Sequence, residues 1–154
     1  MNAELEAIAK IKGKILGVDL GDARTGLAVC DPSRLISSGL ETISPGGIES
    51  TADAVAEYAL KQGVTAIIVG LPVNMDGSEG GRAAKCRKFG DLLRMRLGDK
   101  IIVAMFDERM TTMTASRYLN ETNTRGKKRK GVIDTLSAQI ILQNAIDRLR
   151  YMAK

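Results

Sequence analysis

Residues 15–30 read ILGVDLGDARTGLAVC, two short apolar runs joined by a glycine-bounded polar turn. This pattern predicts a β-hairpin with strands at about residues 14–20 and 25–30. Asp19 lies inside the first apolar run, where an unpaired carboxylate costs free energy through lost hydration. A bound cation or phosphate chemistry is the usual reason for such a residue, and a turn partner such as Arg24 or the Thr25 backbone is the alternative.

The rest of the apolar pattern adds a third strand and then alternates helices with strands. The pattern predicts a strand at about 34–43, a helix from Ala52 that stops at Gly63, and a strand at about 65–70. It then predicts a helix that Ser78 caps and that runs to about Leu97, followed by a strand at about 100–106. The last predicted segments are a helix at about 111–119, a polar loop at about 120–131 and a final helix at about 132–151. The predicted order is therefore β-β-β-α-β-α-β-α-α. Helical crossovers between buried strands imply parallel pairing, so the sequence predicts an α/β fold with a mixed sheet and ligands at the strand ends.

The composition fits one globular domain over residues 1–154, with a core at about residues 14–150. The net charge of +5 favours an anionic partner, but the chain has no Trp, three Tyr and two Phe, too few aromatic side chains for a surface that stacks many bases. Histidine is absent and Cys30 and Cys86 are isolated, which excludes Ser-His and Cys-His nucleophiles and argues against a zinc site or a disulfide framework.

The first ten residues form a short amphipathic stretch with acidic residues, unlike a cleavable signal peptide. No apolar run approaches membrane-spanning length. We therefore expect a cytoplasmic protein in a reducing compartment, with no membrane partner.

Acidic residues from three elements can meet at the strand ends. They are Asp19 in the first strand, Asp107 or Glu108 just beyond the last strand, and Asp134 in the first turn of the last helix. Clustered carboxylates repel one another unless divalent cations neutralise them, and without histidine the cluster suits Mg²⁺ or Mn²⁺. Two such ions can support phosphodiester hydrolysis. The alternative is ordinary helix capping at Asp107 and Glu108 and a solvated first-turn acid at Asp134.

Several basic or glycine-rich features could contact nucleic-acid phosphates. The loop over residues 70–82 leaves a strand and opens a helix, and its best polar candidates are Asn74 and Asp76, although a simple connector is the alternative. The run RGKKRK at residues 125–130 would attract a nucleic-acid backbone, or else forms a solvated basic loop. The candidate nucleic-acid contacts are Arg24, Asn74, Arg109, Arg125, Lys127, Lys128, Arg129 and Lys130.

Four blocks of this sequence resemble the YqgF/RuvX family. They are GVDLGDARTGLA at residues 17–28, GLPVNMDG at 70–77, DERMTT at 107–112 and the stretch from Asp134 to Gln143, and together they span about residues 14–145. The third block, followed by an acid on an Ala/Ile/Leu-rich helix, is far more specific than a lone glycine motif. Met110 and Ser137 depart mildly from the usual family pattern.

This resemblance implies an RNase H-like fold related to RuvC, with a five-stranded mixed sheet made of an antiparallel meander and parallel strands. It implies catalytic and metal-binding roles for Asp19, Glu108 and Asp134, with Mg²⁺ or Mn²⁺ as the cofactor. The implied activity is a metal-dependent nuclease for structured nucleic acid, in 5′-end maturation of pre-16S rRNA or as a Holliday junction resolvase. Nucleic acid and ribosomal particles are the expected partners of a monomer or homodimer.

Two other functions remain as hypotheses. A factor that binds rRNA or ribosomes could keep the fold without turnover, because a fold does not guarantee an activity. An actin-like kinase or ATPase begins with a similar hairpin but needs two lobes around ATP, and this chain has room for one.

Overall fold

The computed structural model describes residues 2–110 and 130–153, with the side chains of the last helix described from residue 135 onward. The strands are β1 (Ile15–Asp19), β2 (Thr25–Cys30), β3 (Ser37–Ile43), β4 (Ala66–Leu71) and β5 (Ile102–Asp107). The helices are α1 (Ala3–Lys10), α2 (Ile48–Gln62), α3 (Gly81–Leu97) and α4 (Lys130–Met152). The helix predicted at 111–119 lies outside the described residues.

The described strands form one mixed sheet in the order β3-β2-β1-β4-β5. The first three strands of the chain are antiparallel neighbours, whereas β4 pairs with β1 and β5 with β4 in parallel. Val18 is opposite Val69, and Leu71 is opposite Asp107. The carboxyl ends of β1, β4 and β5 therefore lie side by side, and the α/β fold class is confirmed.

Two apolar cores cover the two faces of this sheet. Alternate residues of β1 point to opposite faces, so Leu16 packs with α2 and α3, while Ile15 packs with α1 and α4. Both side chains are fully buried. Among residues 2–110 and 130–153, no helix is long and apolar enough to cross a membrane.

Helix α1 precedes β1, so the predicted element order was wrong at its start. The Asn2 side chain caps α1 by accepting hydrogen bonds from the backbone N–H groups of Glu4 and Leu5. It also donates to the Met105 carbonyl at 2.6 Å. An eight-residue helix is marginal by itself, and α1 depends on packing against α4 and β5, which local sequence does not show.

The predicted cap of α3 was also wrong. Gly80 occupies the N-cap position without a side-chain hydrogen bond, and α3 begins at Gly81. The Ser78 backbone N–H and hydroxyl instead both donate to Oδ1 of Asp76, at 2.9 and 2.6 Å. Ser78 thus closes a local turn, a common competitor of helix capping.

Three other boundaries differ by a few residues. α2 begins at Ile48, before the predicted start at Ala52. β3 begins at Ser37, later than predicted, and leaves Leu35 and Ile36 exposed. α4 begins at Lys130, inside the stretch predicted to be a loop.

Candidate active site

Asp19 is the last residue of β1, and it lies on the face of the sheet that α4 covers. The face follows from Gly17, two residues earlier, where an added Cβ would lie 2.7 Å from Cβ of Leu142 in α4. Burial raises the pKa of the Asp19 carboxyl, and the positive charge of Arg82 partly opposes that rise. Asp19 is therefore a partly buried carboxylate whose ionised form the protein alone does not fully stabilise.

Glu108 extends the ladder of β5 by one residue, because its backbone N–H donates to the Leu71 carbonyl at 3.1 Å. A Cβ added at Gly70 would lie 3.0 Å from Oε2 of Glu108 and 2.5 Å from Cδ1 of Ile141, so the carboxylate fills the space that this glycine leaves beside α4. Burial raises the pKa of Glu108, and the negative charge of Asp19 raises it further. The two carboxylates therefore repel each other electrostatically across β4.

Asp107 points away from this pair, because successive strand residues face opposite sides of a sheet. Its carboxylate accepts hydrogen bonds from the Arg109 backbone N–H at 2.9 Å and from the Arg109 guanidinium at 2.7 Å. The hydrogen bond from the Arg109 side chain lowers the pKa of Asp107. Of the two acids that the sequence left open, Glu108 faces Asp19 and Asp107 belongs to an ion pair.

The third acid of the predicted triad, Asp134, lies in the first part of α4, and its side chain is outside those described. The direction of α4 can be read from its contacts with β3. The Gln143 amide donates to the Leu35 carbonyl, and the Ser37 hydroxyl donates to the Gln139 carbonyl. Later residues of the strand thus meet earlier residues of the helix, so α4 runs antiparallel to β3.

β1 and β3 are each antiparallel to β2, so α4 also runs antiparallel to β1. A Cβ added at Gly17 would lie 3.2 Å from the Ala138 carbonyl. Asp19 is two residues further along β1, and position 134 is about one turn before Ala138 in the helix. The helix register therefore carries position 134 towards the end of the sheet where β1 ends.

Two residues near the acidic pair were absent from the sequence-based site. Arg82, in the first turn of α3, lowers the pKa values of both Asp19 and Glu108 through its charge. Cys86, one turn later, is buried, and burial with the nearby Glu108 charge raises the pKa of its thiol to about 11. The thiol is therefore protonated at neutral pH. The position of Arg82 just after the glycine-rich loop was the available signal, but only the fold brings α3 to these acids.

The loop between β4 and α3 is internally organised. The Asn74 side-chain amide donates to the Ser78 hydroxyl at 2.9 Å, and its backbone N–H donates to the Ser78 carbonyl. The Arg109 guanidinium, besides holding Asp107, donates to the carbonyls of Asn74 and Met75 at 3.4 Å. In this structure Arg109 and Asn74 hold the loop against the end of β5, and their predicted contact with nucleic acid stays a prediction.

Of the other predicted nucleic-acid contacts, the structure describes Arg24 and the backbone of Lys130. Arg24 is exposed in the turn between β1 and β2. Residues 125–129 lie outside the described residues, and Lys130 is the first residue of α4, with its side chain likewise outside them.

The donor atoms at the strand ends suit a hard divalent cation. Asp19 and Glu108 provide carboxylate oxygens on one face of the sheet, and burial disfavours their ionised forms unless a positive charge joins them. Among the side chains that the structure describes, no three acidic or cysteine residues gather in a metal-binding group. A complete site would need at least one further ligand.

The chain is similar to known proteins in both sequence and fold. The family model for RuvX, described as Holliday junction resolvase, matches residues 13–148. A protein of Myxococcus xanthus is 40% identical over 137 residues, covering 89% of this chain and 89% of that protein. One of Rhodospirillum centenum is 39% identical over 150 residues, covering 96% of this chain and 80% of that protein. Both carry the name "Putative pre-16S rRNA nuclease".

Two solved structures share the fold. Thermus thermophilus RuvC in complex with a Holliday junction substrate matches with a TM-score of 0.54 and 13% identity, covering 84% of this chain and 91% of that chain. The Fowlpox virus resolvase in complex with Holliday junction DNA matches with a TM-score of 0.53 and 11% identity, covering 92% and 99%. At such identities the likeness concerns the fold alone, and it confirms the RNase H-like fold of the RuvC type.

Proposed function

This chain belongs to the RuvX family, and on that premise we propose that it is a nuclease that hydrolyses phosphodiester bonds of structured nucleic acid. Its curated relatives are named for pre-16S rRNA, so 5′-end processing of that RNA is the substrate we propose first. The junction resolvase activity named by the family model is the second candidate.

One observation carries the proposal: Asp19 and Glu108 lie on one face at the carboxyl ends of adjacent strands, coupled by charge across Gly70. A protein gains no stability from two partly buried carboxylates that raise each other's proton affinity. Such a pair is instead typical of a functional site at which a cation binds the carboxylates. β1, β4 and β5 are parallel neighbours, and α/β folds bind ligands at the carboxyl ends of such strands, which supports the proposal.

We propose Mg²⁺ or Mn²⁺ as the cofactor, held by Asp19, Glu108 and Asp134. When bound, these cations would supply Lewis acidity, polarising a phosphoryl oxygen and favouring deprotonation of water. The chain's own contribution is to hold the carboxylates in place: Asp19 by the hydrogen-bonded end of β1, and Glu108 by its backbone bond to Leu71.

Basic residues would hold the nucleic-acid backbone around this site. We assign this role to Arg24, Asn74 and the basic run at residues 125–130. Neutralising several phosphates would make the affinity fall steeply as salt rises. Arg109 would support the site indirectly, because its guanidinium holds the loop that follows β4.

The test compares wild type with Asp19→Asn on two labelled substrates, an RNA that carries a 5′ leader before the 16S sequence and a four-way DNA junction. Each is incubated with Mn²⁺, with Mg²⁺ or with chelator. The matched control is Asp91→Asn, an exposed acid of α3 that pairs with Arg94. We expect metal-dependent cleavage by wild type and the control, and at least about a 100-fold loss in Asp19→Asn.

The preferred substrate then decides between the two activities. Faster cleavage of the RNA supports pre-rRNA processing, and faster symmetric cleavage of the junction supports a resolvase. If neither is cleaved while both wild type and Asp19→Asn bind RNA with equal affinity, the nuclease proposal is wrong and an rRNA-binding factor replaces it.

A further inference from the structure

Helix α3 carries six basic residues, and four of them are held by acids. Lys85 pairs with Asp22, Arg87 with Glu79, Arg94 with Asp91 and Arg96 with Asp53. Within the described residues, Arg82 and Lys88 make no hydrogen bond or ion pair, and both are exposed. Because the other four basic side chains of α3 are paired with acids, Arg82 and Lys88 are either available to bind a ligand or simply solvated.

The two differ in where the fold places them. Lys85, three residues after Arg82, has its Nζ 3.0 Å from Oδ1 of Asp22, in the turn that follows Asp19. Cys86, one turn after Arg82, is buried in the core that α3 shares with β1 and β4. These two contacts fix the first turn of α3 against the carboxyl end of β1, with Arg82 at its start. Lys88 lies almost two turns later and about 120° around the helix axis from Arg82.

Arg82 therefore lies at the end of the sheet that carries the acidic pair, on a helix that covers the opposite face, and contacts neither carboxylate. Its charge acts on both Asp19 and Glu108, yet no ion pair joins it to either among the described residues. A guanidinium free to close such a pair would gain a charge-assisted hydrogen bond. A phosphate, attracted by a guanidinium on one side and by cations held by the carboxylates on the other, fits that charge pattern.

We propose that Arg82 binds a non-bridging oxygen of the phosphate that is hydrolysed at Asp19 and Glu108, an inference that rests on the nuclease function proposed above. The guanidinium suits this role because it presents several N–H donors in one plane and keeps its charge at any relevant pH. Lys85 is already engaged by Asp22 and would serve to place the helix rather than to bind substrate.

The experiment uses Arg82→Ala, Arg82→Lys and the matched control Lys88→Ala on the two substrates above, with cleavage measured with Mn²⁺ and affinity measured in chelator over a salt series. We expect Arg82→Ala to lower kcat about 10- to 100-fold and to reduce the salt slope of binding by about one. Arg82→Lys should recover part of the rate, and Lys88→Ala should match wild type. With Mn²⁺ present to balance the carboxylate charges, the midpoint of thermal unfolding should not move, because Arg82 is exposed and pairs with no acid among the described residues.

Each proposal fails in its own way. Wild-type cleavage with an unchanged rate in Arg82→Ala overturns the role of Arg82 and leaves the nuclease intact. Absence of wild-type cleavage, with binding weakened by Arg82→Ala but not by Lys88→Ala, overturns hydrolysis and keeps the phosphate contact. Equal binding by all variants in that case overturns both.

A pH series separates a phosphate contact from an effect on the acids. If Arg82 acted only by favouring the ionised carboxylates, the rate of Arg82→Ala would return to the wild-type value at high pH. A persistent deficit across the pH range supports the contact, and complete recovery overturns it.

Discussion

The Glu108 carboxylate fills the space that a side chain at Gly70 would need: a Cβ added at Gly70 would lie 3.0 Å from Oε2 of Glu108. The carboxylate therefore reaches the α4 side of the sheet because the neighbouring strand has no side chain at that point. The small size of Gly70 in β4 therefore helps to determine where Glu108, a proposed metal ligand, lies.

Replacing Gly70 by alanine should cost both stability and activity. The new Cβ would meet Ile141 at 2.5 Å as well as Glu108, and overpacking of this kind typically costs about 1–3 kcal/mol. Urea unfolding should show the lower free energy, and the cleavage rate should fall because Glu108 is displaced. Gly81→Ala is the control, since its Cβ would meet nothing within 4 Å. An unchanged urea midpoint in Gly70→Ala would contradict the close contact.

The two acids at the end of β5 should behave differently when each is replaced by its amide. Glu108→Gln removes a charge that faces Asp19, and we expect a loss of about 100-fold or more in cleavage rate. Asp107→Asn weakens a partly exposed ion pair with Arg109, so we expect a stability loss of about 1 kcal/mol or less and a rate within about tenfold of wild type. The steady-state cleavage rate and the midpoint of thermal unfolding of both variants measure these two effects. A greater rate loss in Asp107→Asn would reverse the assignment.

Without metal, the acidic pair should destabilise the folded protein at neutral pH. The folded-state pKa values of Asp19 and Glu108 are raised, first by burial, so their stabilising contribution is complete below the unfolded-state pKa and is lost as pH rises through the raised value. Asp19→Asn should therefore raise Tm at pH 7 in chelator, and a gain of about 1 kcal/mol would correspond to roughly 2–4 °C. The Tm difference from wild type should shrink towards pH 4. A variant less stable than wild type at pH 7 would refute this account.

Divalent cations should stabilise the wild-type protein through the same two residues. Binding to the folded state alone raises the unfolding free energy by about 2.7 kcal/mol at a concentration 100 times the Kd. We expect Mn²⁺ to raise the Tm of wild type and of Asp91→Asn, but not of Asp19→Asn or Glu108→Gln. Differential scanning fluorimetry over a Mn²⁺ series measures this, and equal stabilisation of all four proteins would place the ion elsewhere.

Much of the architecture could be predicted from local pattern. The alternating and continuous apolar runs identified all five strands of the described residues, and Gly63 ends α2 in the left-handed conformation that a glycine favours. The errors arose where a local signal had more than one use. Ser78 resembled a helix cap but closes a turn with Asp76. α1 was not predicted as an element, because it packs against β5 and α4, which lie far along the chain.

The sequence by itself determined the fold class and the family and predicted the candidate acids, because strand periodicity and the order of motifs are local properties of the chain. Only the tertiary structure decided which acid of the Asp107–Glu108 pair faces Asp19, since that choice depends on the pleat of β5 and on the space left at Gly70. It also brought Arg82 and Cys86 to the site, more than sixty residues after Asp19 in the chain. Charge and packing act through space, so residues that share a site need share no pattern in the sequence.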